Sequence, residues 1–289
     1  MSPDLFTAKN VIVQGITGSH GQFQTKAMLA AGTKIVAGTS PNKAGESVEG
    51  VPVYATIADI QKEHTVDTSV IFVPAPFAKS AIFEAIAAEL PLIICITEGI
   101  PIHDMLQIKQ QLKNSKSILI GPNSPGVIIP EVNKLGIIPA NMALSGHTGV
   151  VSRSGTLTYE AMAGLSARSI GQAYVIGIGG DQIRGTSFID CLELFEHDAN
   201  VTQIVLIGEI GGLDELAAAE FIKSSITKPV FGYIAGEHAP VGVQLGHAGA
   251  ILRNNDESAS FKRNALENAG VHMYPSITAL ISGVAGTSH

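Results

Sequence analysis

Short β-branched runs alternate with alanine-rich amphipathic segments along nearly the whole of this 289-residue chain, and that alternation constrains the fold more than any other feature. A period of two giving way repeatedly to helical spacing predicts βαβ units and parallel sheets. In the first half, strands are expected near Val11 to Gln14, Lys34 to Ala37, Thr68 to Val73, Leu92 to Thr97 and Ser117 to Gly121. The helices between them fall near Gln22 to Ala31, Phe77 to Glu89 and Ile102 to Asn114. The alternation restarts after a stretch from Pro125 to His147 that is rich in Gly, Pro and Asn and has no helical period. Strands are then expected near Gly149 to Ser152, Gln172 to Ile178, Gln203 to Gly208, Val230 to Ala235 and Val271 to Tyr274. Runs such as Ile204-Val205-Leu206-Ile207 are apolar on both faces, as in strands covered by helices on both sides. Two doubly wound α/β domains are expected, over 1–145 and 146–289, and the length suits two cores.

Composition narrows the function classes. A formal net charge of −7, with no run of five or more Lys or Arg, argues against nucleic-acid binding. The two cysteines, Cys95 and Cys191, lie far apart in apolar stretches, which suits a reducing compartment and predicts neither a disulfide framework nor a zinc site. No apolar run reaches the ~18 residues of a membrane span. Met1 to Leu5 carry no recognisable targeting pattern, so a cytoplasmic enzyme is expected, although a trimmed organelle protein would look the same.

Directly after the first strand, Gln14-Gly15-Ile16-Thr17-Gly18-Ser19-His20-Gly21 forms a G-x-x-G-x-x-G loop that leads into a helix. Glycines there let the backbone turn tightly and approach a pyrophosphate, which would sit at the positive end of the helix. Close helix packing alone would also explain them. Dinucleotide-binding domains usually place a carboxylate after the second strand to hold the ribose hydroxyls. Here the stretch Gly38-Thr39-Ser40-Pro41-Asn42-Lys43 has none and offers Lys43 instead, which suits a ribose phosphate such as that of NADP or coenzyme A. Val73 to Phe77 and Ile96-Thr97-Glu98-Gly99-Ile100-Pro101 should reach the same carboxyl edge of the sheet.

In the second half, Val151 to Glu160 reads as a strand, a small-residue turn and a helix start. Amides near Ser154, Gly155 and Thr156 would make an anion site, although simple capping by Ser154 is the plainer alternative. Glu209 stands at a strand end among glycines, and His247 lies in Gly246-His247-Ala248-Gly249-Ala250, where small neighbours would let an anionic group approach the imidazole. A carboxylate bonded to one ring nitrogen fixes the tautomer and leaves the other nitrogen nucleophilic. A histidine, an orienting carboxylate and a helix amino terminus suit a phosphorylated imidazole. No metal-ligand spacing and no Walker loop is present.

In the order and spacing of these motifs, with Gly121-Pro122-Asn123 and Gly179-Gly180-Asp181, the chain resembles the α subunits of succinyl-CoA synthetase, the succinate–CoA ligase of the citric acid cycle. The resemblance implies a Rossmann-like CoA-binding domain followed by a flavodoxin-like ligase domain. It implies CoA contacts from Thr17, Gly18, Ser19, His20, Lys43, Ile96, Thr97 and Glu98. It makes His247 the phosphohistidine, oriented by Glu209, with Ser154, Gly155 and Thr156 holding the phosphate. Tyr159, Pro125 and Gly126 would lie near the acid substrate. The nucleotide, ATP or GTP with Mg²⁺, would sit on a separate β subunit, in an αβ or α2β2 assembly without which the chain is inactive.

Ser124, Gln182, Arg184 and the Arg253-Asn254-Asn255 stretch depart from the usual family pattern, and ligases acting on malate or citrate share the frame, so the acid itself is left open. Two other classes compete: a non-catalytic CoA- or dinucleotide-binding regulator, and an NADP-dependent dehydrogenase that would use Lys43 but lacks a recognisable hydride-transfer site.

Overall fold

The computed structural model describes every residue except Ala8, Lys9, Val241, Val243, Leu245, Ser288 and His289. The chain divides into two compact units: Ser2–Ile138 with Ile183–Gly185, and Pro139–Gln182 with Thr186–His289, to which Met1 also belongs. Each is an α/β unit built on a mainly parallel sheet.

The amino-terminal unit contains β1 (Val11–Gln14), α1 (Ser19–Ala30), β2 (Ile35–Thr39), β3 (Ser47–Val48), β4 (Val51–Tyr54), α2 (Ile57–Ile60), β5 (Thr68–Ile71), α3 (Ala75–Ala87), β6 (Leu92–Cys95), α4 (Ile102–Leu112) and β7 (Ile118–Ile120). The order β3-β4-β2-β1-β5-β6-β7 is parallel apart from the antiparallel β3–β4 pair. Leaving out β3, this is the 3-2-1-4-5-6 order of dinucleotide-binding sheets, with its reversal between β1 and β5. β1, β5 and β6 are buried at every position, and Ile12, Ile71, Ile93 and Cys95 pack under Ala81, Ile82 and Ala85 of α3. That accounts for the apolar runs Val11-Ile12-Val13, Val70-Ile71 and Leu92 to Cys95. One polar residue in β1, Gln14, is satisfied inside: its Nε2 donates to Ala81 O at 3.1 Å and Glu84 Oε2 at 3.0 Å, while Ser69 Oγ donates to its Oε1 at 2.8 Å.

Two hairpins lie where no strand is expected from the sequence. One is β3–β4. The other is the antiparallel pair β8 (Gly126–Ile129) and β9 (Asn133–Gly136), within the segment read as irregular. β9 carries Asn133 and Lys134 as buried residues and therefore shows no apolar alternation. Lys134 Nζ donates to Gly136 O at 2.5 Å and to Gln24 Oε1 of α1 at 3.1 Å, and its amide donates to Thr33 Oγ1.

The carboxyl-terminal unit contains β10 (Ser145–Ser152), α5 (Gly155–Ser166), β11 (Gln172–Gly177), α6 (Phe188–His197), β12 (Gln203–Glu209), α7 (Asp214–Ser225), β13 (Val230–Ala235), α8 (Ala259–Asn268), β14 (His272–Met273) and α9 (Ile277–Thr287). Its strands run β14-β13-β12-β10-β11, all parallel. Counted from β10 this is the 2-1-3-4-5 order of flavodoxin-like sheets, with the reversal between β10 and β12. Helix α6 starts on a capping box: Ser187 Oγ accepts from the Asp190 amide, and Asp190 Oδ2 accepts from the Ser187 amide.

Two consequences can be measured. A Cβ on Gly21 would overlap the Gly15 carbonyl oxygen, so this third loop glycine serves the close seating of α1 on the β1 turn. Gly21→Ala should cost about 1–3 kcal/mol, as overpacked sites do, and lower the unfolding midpoint; an unchanged midpoint would refute the packing role. Burial without a carboxylate partner pulls Lys134 down to about 8. Its native pKa lies below that of the unfolded chain, so unfolding takes up a proton between about pH 8 and 10.5 and stability should rise across that window. Lys134→Met should flatten this rise in denaturant titrations repeated over that range, and an equally steep rise in the variant would contradict the assignment.

Candidate functional site

Each unit presents expected site residues at the carboxyl edge of its own sheet, and the two are described separately.

In the amino-terminal unit, β1 is followed by Gly15, whose φ of +81° and close approach to Val73 N, 3.0 Å from where a Cβ would lie, exclude a side chain. Gly18 is the N-cap of α1, and Ser19 and His20 are its exposed first residues, so the first amides of α1 lack intrahelical acceptors. Thr17 Oγ1 donates to Ser40 Oγ at 2.9 Å, tying the loop after β1 to the loop after β2. Lys43 follows in a short 3₁₀ turn, with Nζ 3.9 Å from Glu46 Oε2 and both side chains about half exposed, so its charge is available to an anion. After β6, Thr97 Oγ1 donates to Val73 O at 2.6 Å and Thr97 O accepts from the Asn123 amide; Ile96 is half-buried, and Glu98 is exposed. The residues expected from the sequence thus line the ends of β1, β2 and β6.

Pro125 and Gly126 are buried at the start of the β8–β9 hairpin. Pro125 O accepts from the Ile137 amide, the Gly126 amide donates to Ser124 Oγ at 2.8 Å, and a Cβ on Gly126 would overlap Leu135 O. Ser124 thus holds the entry to the hairpin through its hydroxyl. Arg184 is buried in the same unit, and its carbonyl accepts from Lys109 Nζ at 2.8 Å.

The carboxyl-terminal unit brings His247 and Glu209 together. His247 Nδ1 lies 2.8 Å from Glu209 Oε2, at the end of β12 and hence at the sheet's reversal point. Glu209 is buried, while His247 retains 27% of its side-chain exposure. Gly246, next to the histidine, faces open space, whereas Gly180, Gly211 and Gly249 make room for protein atoms. A Cβ on Gly180 would overlap the His247 ring, and one on Gly249 would lie 2.5 Å from Gly180 O and 2.9 Å from an Arg153 nitrogen. Gly211, with φ of +82°, leaves room for the Gly249 carbonyl. They let the histidine loop lie against the strand ends, and the Gly249 amide donates to Gly180 O at 3.0 Å to hold it there. Gln182 adds a bond from Nε2 to Ala248 O at 3.2 Å.

Ser154 is the N-cap of α5. Its Oγ accepts from the Leu157 amide at 3.3 Å, and its own amide is taken by Ser152 Oγ at 3.1 Å. The capping alternative therefore describes the side chain, and the first helical residues, Gly155 and Thr156, supply the amides without intrahelical acceptors. Tyr159, one turn on, is half-buried, and burial raises its phenol.

Sequence reasoning assigned no role to Arg153, Glu215 and Lys262, which lie buried beneath Glu209. Arg153 Nη1 donates to Glu215 Oε1 and to Gly211 O, each at 2.9 Å, and its Nη2 lies 3.2 Å from Glu209 Oε1. Lys262 Nζ donates to Glu209 O and Gly211 O, each at 2.8 Å, and to Glu215 Oε2 at 2.5 Å. Burial alone would raise the Glu215 carboxyl, but Arg153 and Lys262 hold it at about 2. Burial likewise opposes the Arg153 charge, and Glu215 with Glu209 more than restores it. Arg253, in the stretch after the histidine, donates from its amide to buried Glu257 at 2.7 Å. Among the described residues no group of three or more His, Cys, Asp or Glu is placed to hold a metal, and no helix is long and apolar enough to cross a membrane.

Comparison with known proteins matches both units. A CoA binding domain model covers residues 6–99, and a CoA-ligase model covers residues 151–272. Succinate–CoA ligase (ADP-forming) α subunits of Staphylococcus aureus (strain N315) and Staphylococcus epidermidis (strain ATCC 12228 / FDA PCI 1200) are 51% identical over 269 residues, covering 92% of this chain and 89% of theirs. Among solved structures, ATP citrate lyase from Methanothrix soehngenii in complex with citrate and coenzyme A superposes with a TM-score of 0.87 at 25% identity, over 97% of this chain. This chain spans 50% of that one. The dinucleotide-forming acetyl-coenzyme A synthetase 1 of Ca. Korarchaeum cryptofilum shares the fold, with a TM-score of 0.74 at 21% identity over 96% of this chain and 60% of its own. At that identity and coverage, the chain belongs to the family of succinate–CoA ligase α subunits.

Proposed function

We propose that this chain is the phosphoryl-accepting and CoA-binding half of a succinate–CoA ligase, working with a β subunit that holds ATP or GTP and its Mg²⁺. The observation that carries the reading is the 2.8 Å contact of His247 Nδ1 with buried Glu209, whose other oxygen meets Arg153, the residue before the N-cap of α5. With Nδ1–H donating to the carboxylate, the lone pair is on Nε2.

Nε2 attacks the γ-phosphorus of the nucleotide. An N–P bond forms, the P–O bond to the nucleoside diphosphate breaks, and the diphosphate leaves with the electron pair. The ring gains positive character, which Glu209 offsets at the opposite nitrogen, and amides of Gly155 and Thr156 supply donors for the phosphoryl oxygens. A succinate carboxylate oxygen then takes the phosphoryl group as the N–P bond breaks, restoring the neutral imidazole. The CoA sulfur, after losing its proton, attacks the acyl carbon; a C–S bond forms and inorganic phosphate departs. Lys43 would pair with the ribose phosphate of CoA, and the loops at Thr17 to His20 and Ile96 to Glu98 would line its path. The succinate preference rests on the relatives' names. A role for Tyr159, Pro125 and Gly126 near the acid is part of the same proposal.

Three outcomes test it. Mixed with a β subunit and γ-labelled nucleotide, the chain should acquire acid-labile phosphate that His247→Asn abolishes; label persisting in that variant would sink the assignment. Glu209→Gln should slow phosphorylation by about 10- to 100-fold, as loss of an orienting partner does. Lys43→Ala should raise the KM for CoA by about tenfold, the effect of one lost charge-assisted contact, and leave dephospho-CoA unaffected. Equal losses with the two thiols would remove Lys43 from the ribose phosphate.

A further inference from the structure

We infer that Arg153 is a positioning residue for phosphoryl transfer, fixing the Glu209 carboxylate so that His247 is held as its Nδ1–H tautomer. The inference rests on the proposed phosphohistidine and adds a residue with which neither the sequence motifs nor the resemblance associated a role.

The geometry points to this in three steps. Glu209 has two carboxylate oxygens with different neighbours: Oε2 faces His247 Nδ1 at 2.8 Å, and Oε1, which makes no hydrogen bond, lies in an ion pair 3.2 Å from Arg153 Nη2. The carboxylate thus lies between an imidazole and a guanidinium, and rotation about its last bond would break both contacts. Next, Arg153 is itself immobilised. Its side chain is 1% exposed, and Nη1 is bonded to both Glu215 and Gly211 O, while Lys262 grips Glu215, Gly211 O and Glu209 O. The four charges balance, two positive and two negative, as a buried set requires. Finally, Arg153 connects two supports of the histidine. Its amide donates to Ile207 O at 3.1 Å, extending the β10–β12 pairing, and the next residue is the N-cap of α5. One residue therefore sets Glu209 and the helix start in a common frame.

Neutralising Glu215 alone would be a structural role, and the test separates the two. Arg153→Lys keeps the charge but cannot span Glu209 and Glu215 with a rigid fork. The double variant Arg153→Met with Glu215→Gln removes one charge of each sign, so the buried set stays neutral and folding is protected. In the complex with the β subunit, both should phosphorylate His247 about 10- to 100-fold more slowly, with KM for nucleotide and CoA within about twofold of the parent. In the full chain, with ¹⁵N-labelled histidine and a pH well above the ordinary imidazole range, parent His247 should show protonated Nδ1 and unprotonated Nε2, and both variants a tautomer mixture.

Parent-like rates and tautomer in both variants would overturn the inference while leaving the phosphohistidine intact. Slower phosphorylation with an unchanged tautomer would also overturn it, assigning Arg153 to scaffolding. Absence of acid-labile phosphate on the parent would refute the proposed function instead, and the nitrogen spectra would still decide whether Arg153 positions the ring.

Discussion

The buried ion set of Arg153, Glu215, Lys262 and Glu209 is the interaction on which the carboxyl-terminal site depends. Charges of this kind are expensive to take out of water, and their mutual attraction offsets the cost only when geometry and hydrogen bonding are nearly complete. Here every carboxylate oxygen of Glu215 has a cationic partner, and Gly211 O and Glu209 O accept from the same cations, while Glu209 Oε1 and Arg153 Nε are buried without a hydrogen bond and Glu209 Oε1 is held by the Arg153 charge alone. Hydrophobic residues of similar volume could fill the space with less loss, so stability alone is a poor reason for the arrangement. It makes sense as a rigid seat for one carboxylate, Glu209, whose outer oxygen reaches a partly exposed imidazole.

The sheets explain why that seat lies where it does. In each unit the strand order reverses once, between β1 and β5 and again between β10 and β12, and at such points the connections diverge and leave a crevice at the carboxyl ends. The first crevice receives the glycine turn and the start of α1. The second receives Arg153 from the end of β10 and Glu209 from the end of β12, with α5 beginning between them in sequence. A loop that arrives much later in the chain then supplies His247, and glycines at 180, 211 and 249 let it pack against the strand ends.

Much of this was legible in the sequence because parallel strands covered on both faces are predominantly apolar. β1, β5, β6, β12 and β13 stand within a few residues of their expected positions, and the contact of His247 with Glu209 agrees with the expectation drawn from the strand-end glutamate, the Gly/Ala run around the histidine and the family resemblance. What was hidden was hidden for physical reasons. β8 and β9 are short and rich in Gly, and β9 buries Asn133 and Lys134, so period-two alternation never shows. β3 has only two residues, and β4 carries Pro52. Arg153 sat in plain view within a recognised motif, but its burial depends on Glu215 and Lys262, distant in sequence, and no local pattern announces such a pairing. The glycines flanking His247 were read as clearance for an anion; Gly249 instead makes room for protein atoms, a distinction that requires knowing what lies opposite.

The proposed function predicts that His247 accepts phosphate on the nitrogen away from Glu209. Nitrogen–phosphorus coupling in the ¹⁵N-histidine-labelled, phosphorylated complex reads the bonded atom directly. Phosphate on Nε2 of His247, with Nδ1 still protonated against Glu209, is the expected result. Phosphate on Nδ1, or on a residue other than His247, would contradict it.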